Sequence, residues 1–170
     1  MTSPLFELDL LNAIEHSVED AFEAIVWRQV VGTTNPLRTN SLGGRWNPPG
    51  VEVLYSSLTQ AGAEAELSAL LERQSVFVTR ERSTHRLRVR LSKVARISES
   101  DPFVAAGVNR DTILSDDLGL PQRIGAAADW LGIGGLIVPS ARHDGSNLVI
   151  ITNRVAPPYD YFELVDTDAD

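Results

Sequence analysis

At 170 residues, with 43% hydrophobic and 22% charged, the chain is long enough for one hydrophobic core and has the balance of a folded domain, not a disordered one. It has no cysteine, which excludes disulfides and thiolate metal sites, and its three histidines, His16, His85 and His143, form no local ligand motif, so no metal is expected. A net charge of −8 speaks against direct binding to nucleic acid, whose affinity rests on basic residues displacing counterions.

The opening residues carry no basic stretch ahead of an apolar one, and no segment approaches a membrane-spanning run, so the cytoplasm is the expected location. Residues 8–24 mix acids with Leu10, Leu11, Ile14, Val18 and Phe22 at intervals of three and four, which predicts a helical lead-in over residues 1–24. Residues 25–31 read as a strand. Residues 32–50 are dense in Gly, Pro, Asn, Thr and Ser and read as a long loop, a class that is often functional.

Residues 51–57 read as a buried strand, and Thr59 as the N-cap of a helix running to about Arg73. On that helix Glu64, Ser68 and Glu72 recur every four residues as a polar face. Glu66 does not join them: its neighbours at three and four positions are Gly62, Ala63, Ala69 and Leu70, a small apolar face on which a carboxylate needs partners. Alternation of Leu87, Val89 and Leu91 with Arg86, Arg88 and Arg90 predicts a half-exposed strand with a solvated arginine side.

After an irregular acidic stretch around Asp116 and Asp117, residues 121–131 read as a helix that Pro121 opens and Gly132 ends. Strands follow at residues 135–138 and 147–152, separated by a turn, then a last strand near 159–165 and an acidic tail. With no repeat and no linker, the reading is a single domain over residues 1–170, of α/β (α+β) class, with a mixed sheet and flanking helices.

Four residues carry the candidate chemistry. Arg45 lies in Gly43-Gly44-Arg45-Trp46-Asn47-Pro48-Pro49-Gly50, whose residue types force a defined backbone path; Arg28 interrupts an apolar strand; Tyr55 ends the next strand; and Glu66 sits on the wrong face of its helix. Each has a plain structural alternative: a surface turn with Trp46 tucked inward, a solvent-facing arginine, a core tyrosine, a structural ion pair. Ser140 reads as a turn residue. No phosphate-binding glycine loop, dinucleotide fingerprint or nucleophile elbow is present.

The blocks Trp27-Arg28-Gln29-Val30, Gly44-Arg45-Trp46-Asn47-Pro48-Pro49-Gly50, Val53-Leu54-Tyr55, Glu66, and Gly134-Gly135-Leu136-Ile137-Val138-Pro139-Ser140-Ala141-Arg142 together resemble the RES domain family, named for its Arg, Glu and Ser. The match spans about residues 26–152. The resemblance implies a fold similar to ADP-ribosyltransferases and a toxin, paired with a cognate Xre-type antitoxin in a hetero-oligomer, that depletes NAD⁺ and arrests growth. It assigns the family's arginines to Arg28 and Arg45, its tyrosine to Tyr55, its acid to Glu66 and its serine to Ser140, with Ser146 as the alternative. In this assignment NAD⁺ is the substrate. Arg28 and Arg45 hold its pyrophosphate, Tyr55 stacks on nicotinamide, Glu66 supports developing positive charge, and Ser140 helps fix the ribose. Water, inorganic phosphate or a protein side chain as acceptor would give hydrolysis, phosphorolysis or ADP-ribosylation; a non-catalytic module that engages an acidic partner is the alternative outside enzymes.

Overall fold

In the computed structural model, which describes residues 6–74 and 81–165, six strands carry the architecture: β1 (Val18–Val31), β2 (Val53–Ser57), β3 (Arg82–Arg96), β4 (Gly135–Pro139), β5 (Ser146–Ile151) and β6 (Tyr161–Leu164). Pairing runs β1-β2-β5-β4-β3-β6, and β1 also pairs β3, so five of the strands form a ring that returns on itself, with β6 added outside. The sheet is mixed, since β3 and β4 run parallel while the other pairs run antiparallel. This is the expected class.

Period-two alternation divides the core into two layers. Leu54, Leu148, Ile150 and Ile137 point to one side, where they pack with Val26, Leu87, Val89, Leu91 and Val94. Val53, Val149, Ile151, Leu136 and Val138 point to the other, under α1 (Leu8–His16), α3 (Asp101–Ala105), α4 (Arg110–Leu114) and α5 (Gly119–Trp130). Both faces of β2, β4 and β5 are thereby buried, which explains their nearly unbroken apolar sequences.

The lead-in departs from the expectation of helix through residue 24. Helix α1 ends at His16, and β1 starts at Val18 and pairs with β3 along its whole length, from Val18↔Ala95 to Val31↔Arg82. A spacing of four is even and so fits the period of a strand as well as that of a helix; in β1, with the positive φ of Ala21 between them, Val18 packs on the helix-covered core and Phe22 on the other. Around Asp116 and Asp117 the chain is irregular, as expected; ahead of it lie two short helices that the sequence reading did not assign, α3, with a proline in its first turn, and α4, closed by a capping box between Asn109 and Thr112. Threonine in place of Glu or Gln at the third helical position hides that signal.

One buried acid organises the change of partners along β3, whose outer edge meets β6 over Leu87–Arg90 and β4 over Val94–Arg96. At the changeover the β1 backbone takes a positive φ at Ala21, 58°. There Asp160, 2% exposed, accepts from Ser92 N at 2.9 Å, Ser92 Oγ at 3.2 Å and Ala156 N at 3.2 Å. The acidic tail lies outside the described residues.

Candidate functional site

Helix α2 (Gln60–Arg73) delivers Glu66, and its start is fixed by Thr59, whose hydroxyl accepts from Gly62 N at 3.0 Å. A Cβ at Gly62 would stand 3.2 Å from Ser57 Cβ and 3.0 Å from Thr59 Oγ1, so glycine lets the helix start close against the end of β2. One helical turn later, Glu66 lies on the same face as Gly62 and Ala63, both buried. That turn places its carboxylate over β5, where Asn147 is the register partner of Ser57.

Glu66 Oε1 accepts from Ser140 Oγ at 2.7 Å and from Asn147 Nδ2 at 2.9 Å. Ser140 is 2% exposed, its hydroxyl also accepts from Arg142 N at 3.1 Å, and its own N donates to Gly145 O at 3.1 Å. The turn between β4 and β5 therefore presents that hydroxyl proton to the acid. Ser146 contributes its carbonyl to Leu58 N at 3.1 Å.

Arg45 projects from the glycine-rich loop, and its Nη1 donates to the carbonyls of Ile113 at 3.1 Å and Ser115 at 2.6 Å, at the C-terminal end of α4. Desolvation lowers its proton affinity, and the charges of Arg142 and Arg73 lower it further, while Asp116 and Glu66 pull the other way. Arg45 thus lies within electrostatic range of Glu66 and Asp116 and of two further arginines, Arg73 and Arg142, on a chain that is acidic overall.

The loop itself is pinned by Asn47, which is fully buried. Its Nδ2 donates to Asn40 O at 3.2 Å and Val51 O at 2.8 Å, and its Oδ1 accepts from Tyr55 Oη at 2.6 Å. Tyr55 Oη in turn accepts from Trp46 N at 3.0 Å. From α5, Gln122 Nε2 donates to Gly44 O at 2.9 Å, and a Cβ at Gly125 would collide with the Trp46 carbonyl. Strand, loop and helix thus share one polar seam behind Arg45.

Tyr55 sits in that seam, its ring packed partly against the helix-covered core. Burial pushes its phenol up to about 12, outweighing the pull of Trp46 N–H, Arg45 and Asn47 in the other direction. It is a neutral donor near pH 7, and its hydroxyl does not bond to Glu66; Arg45, whose charge both groups feel, lies between their networks. Arg28 is placed differently again. The register Trp27↔Ser57 puts Trp27 on the face of Ser57 and Arg28 on the opposite one. Its Nη1 donates to Tyr55 O at 2.6 Å and its Nη2 to Arg38 O at 3.3 Å, while Nε is buried without a partner among the described residues. Burial lowers its proton affinity, and Arg38 adds to the effect.

Glu66 and Ser140 are therefore brought into contact, Arg45 into electrostatic range of Glu66, and Arg28 and Tyr55 into contact with the loop from outside that pair. Sequence reasoning passed over Asn47, Asn147, Ser57 and Gln122. A signal existed for the first two, since each is a lone amide beside apolar or proline-rich neighbours, where a polar side chain needs partners. Among the described residues no group of three His, Asp or Glu could hold a metal ion, and no helix is long and apolar enough to cross a membrane.

A search of curated proteins found no match. Among solved structures, the fold is similar to a chain of the Mycobacterium tuberculosis MbcT-MbcA toxin-antitoxin complex, with a TM-score of 0.76 and 21% identity over 94% of this chain and 93% of that one. The RES domain profile matches residues 25–165, and with it the loop, the acid and the serine just described. The chain belongs to the RES domain family.

Proposed function

We propose that this protein is the toxin of a toxin-antitoxin pair and that it consumes NAD⁺ by breaking the bond between nicotinamide and its ribose. The observation that carries the reading is Glu66, a carboxylate fixed by Ser140 and Asn147 and within electrostatic range of Arg45. Breaking that bond puts positive charge on the ribose ring, and a fixed anion beside it stabilises the transition state more than the ground state. The leaving group departs as a neutral base, so no metal or strong acid is required of the site. Arginines suit a dianionic pyrophosphate through paired, charge-assisted hydrogen bonds.

Arg45 is the better placed of the two assigned arginines to hold phosphate near Glu66. Arg28, whose guanidinium holds the Tyr55 and Arg38 carbonyls on the opposite face, is our second candidate for an anion contact. Tyr55, with its hydroxyl engaged, supports the loop and offers its ring, not a proton, to nicotinamide. Ser140 helps fix the ribose through Glu66, to which its hydroxyl donates. The similarity to a chain of the MbcT-MbcA complex supports an antitoxin partner, for which we propose an Xre-type protein, and a cytoplasmic setting follows from NAD⁺ as substrate. We favour hydrolysis or phosphorolysis over protein modification.

Purified protein incubated with NAD⁺ should release nicotinamide, and Glu66→Ala should abolish the release. Addition of inorganic phosphate separates phosphorolysis from hydrolysis by the product formed. In cells, induction should lower NAD⁺ before growth stops; arrest with unchanged NAD⁺ would sink the reading, and labelled ADP-ribose on a cellular protein would favour the transferase.

A further inference from the structure

Glu66 has two carboxylate oxygens, and both of its hydrogen bonds fall on the same one, Oε1. Ionised, a carboxylate only accepts, so the Asn147 amide must turn its NH₂ toward Glu66 and its carbonyl away. That carbonyl is left to accept from Ser57 Oγ at 2.8 Å; the hydroxyl can donate or accept, so the carboxylate sets the sense of the amide and the serine completes it. Ser57 is itself 2% exposed and lies at the register position paired with Asn147, so two adjacent strands hold the relay. Ser57, Asn147 and Glu66 thus form a directional chain, O–H to C=O and N–H to carboxylate, ending on a single oxygen.

Resting on the reading of Glu66 as the acid that faces the reacting ribose, we propose that Asn147 is a positioning residue. Oriented by Ser57 and assisted by Ser140, it locks Oε1 in place so that Oε2 alone engages substrate. The sequence around Asn147 makes it an outlier for any purely structural purpose, because it opens the apolar run Leu148-Val149-Ile150-Ile151, all buried. Its partner Ser57 likewise follows Val53 and Leu54 in a buried strand. An unanchored Glu66 could rotate about its terminal torsion, which is soft, and misplacement of a reacting group by about 1 Å costs on the order of 100-fold in rate.

The test is steady-state NAD⁺ consumption by the full chain, with thermal unfolding measured alongside. Asn147→Ala is expected to lower kcat roughly 10- to 100-fold with KM within about twofold of wild type. Ser57→Ala should give a smaller loss of the same kind and add little to Asn147→Ala, since it acts through that amide. A fall in kcat with KM and the unfolding temperature both close to wild type is an outcome that a merely structural role would not produce. Asn147→Asp keeps the shape but cannot donate to Glu66 when ionised, so it should match or exceed the loss in Asn147→Ala, and it serves if the alanine variant fails to fold. Wild-type kcat in folded Asn147→Ala or Asn147→Asp, with Glu66→Ala inactive, overturns this inference alone. A wild-type protein that leaves NAD⁺ intact overturns the underlying reading and this one with it.

Discussion

Ser140 Oγ donates to Glu66 Oε1 at 2.7 Å across 74 positions of sequence, joining the turn after β4 to the middle of α2. Because the hydroxyl is buried and also accepts from Arg142 N, its proton has one place to go. Ser140→Ala is therefore predicted to lower nicotinamide release roughly 10-fold while leaving NAD⁺ binding within about threefold, whereas Glu66→Gln should lower it by about 100-fold or more. Equal loss of binding and turnover in Ser140→Ala would assign the serine to substrate affinity in place of acid orientation.

Asn47 is the keystone of the arginine loop, with three hydrogen bonds from a side chain fully removed from solvent. Asn47→Ala strips the Val51 carbonyl and the Tyr55 phenol proton of a partner and takes one of two donors from Asn40 O, which keeps Val53 N at 2.9 Å, and buried groups left unpaired cost about 1–3 kcal/mol each before relaxation. We predict destabilisation of about 3–5 kcal/mol in urea unfolding, with Asn47→Asp no better, because an ionised Asp cannot donate to Asn40 O or Val51 O. A loss below about 1 kcal/mol would mean that the loop holds its path without this side chain.

How much of this was legible in the sequence divides along physical lines. Strands whose two faces are both buried, such as β4 and β5, show up as apolar runs, and Thr59 announces its helix through local capping chemistry that needs no tertiary partner. Glu66 was legible as a misfit because helical spacing is a local property. Its contacts with Ser140 and Asn147 span 74 and 81 positions and exist only once the ring of strands closes. The start of β1 was misread because spacings of four satisfy both periods, and only pairing with β3 decides between them. Arg28 and Tyr55 share the loop, yet strand register, which the sequence does not state, puts Arg28 on the opposite face from Ser57.

Helix α5 touches the same loop where Gly125 faces the Trp46 carbonyl. A methyl group there has no room, and neither partner can yield cheaply, since one is helix and the other is a backbone carbonyl. Gly125→Ala should cost about 1–3 kcal/mol despite the better helix propensity of alanine, and should lower NAD⁺ turnover by moving Arg45. Thermal unfolding and turnover read the two effects separately; a stabilised protein with wild-type turnover would show that the loop can move aside without consequence.

Arg45 donates from one nitrogen to two carbonyls, and its other N–H groups have no partner among the described residues. Lysine carries the same charge but not the planar fork, so Arg45→Lys tests geometry apart from charge. The variant should raise KM for NAD⁺ about 10-fold or more, an effect that is expected to persist at high salt because it reflects lost paired bonds and not only screened attraction. A KM equal to wild type at every salt concentration would remove the pyrophosphate from Arg45.

The Tyr55 phenol supplies a pH prediction whose sign follows from its burial. Its proton is held to about 12 in the folded protein against 10.0 for the ordinary group. Folding is favoured by the neutral form, so this contribution is fully present below about pH 10 and is lost as pH rises toward about 12, a fall of about 2–3 kcal/mol. Near neutral pH, Tyr55→Phe should be less stable than wild type by about 1–3 kcal/mol, since Asn47 Oδ1 and Trp46 N lose their partner. The variant cannot ionise there, and Tyr159 and Tyr161 are common to both proteins, so the gap between the two should narrow as pH climbs. Urea unfolding at about pH 8, 10 and 11.5 measures it; a gap that stays constant across that range would mean that the phenol ionises alike in the folded and unfolded chains.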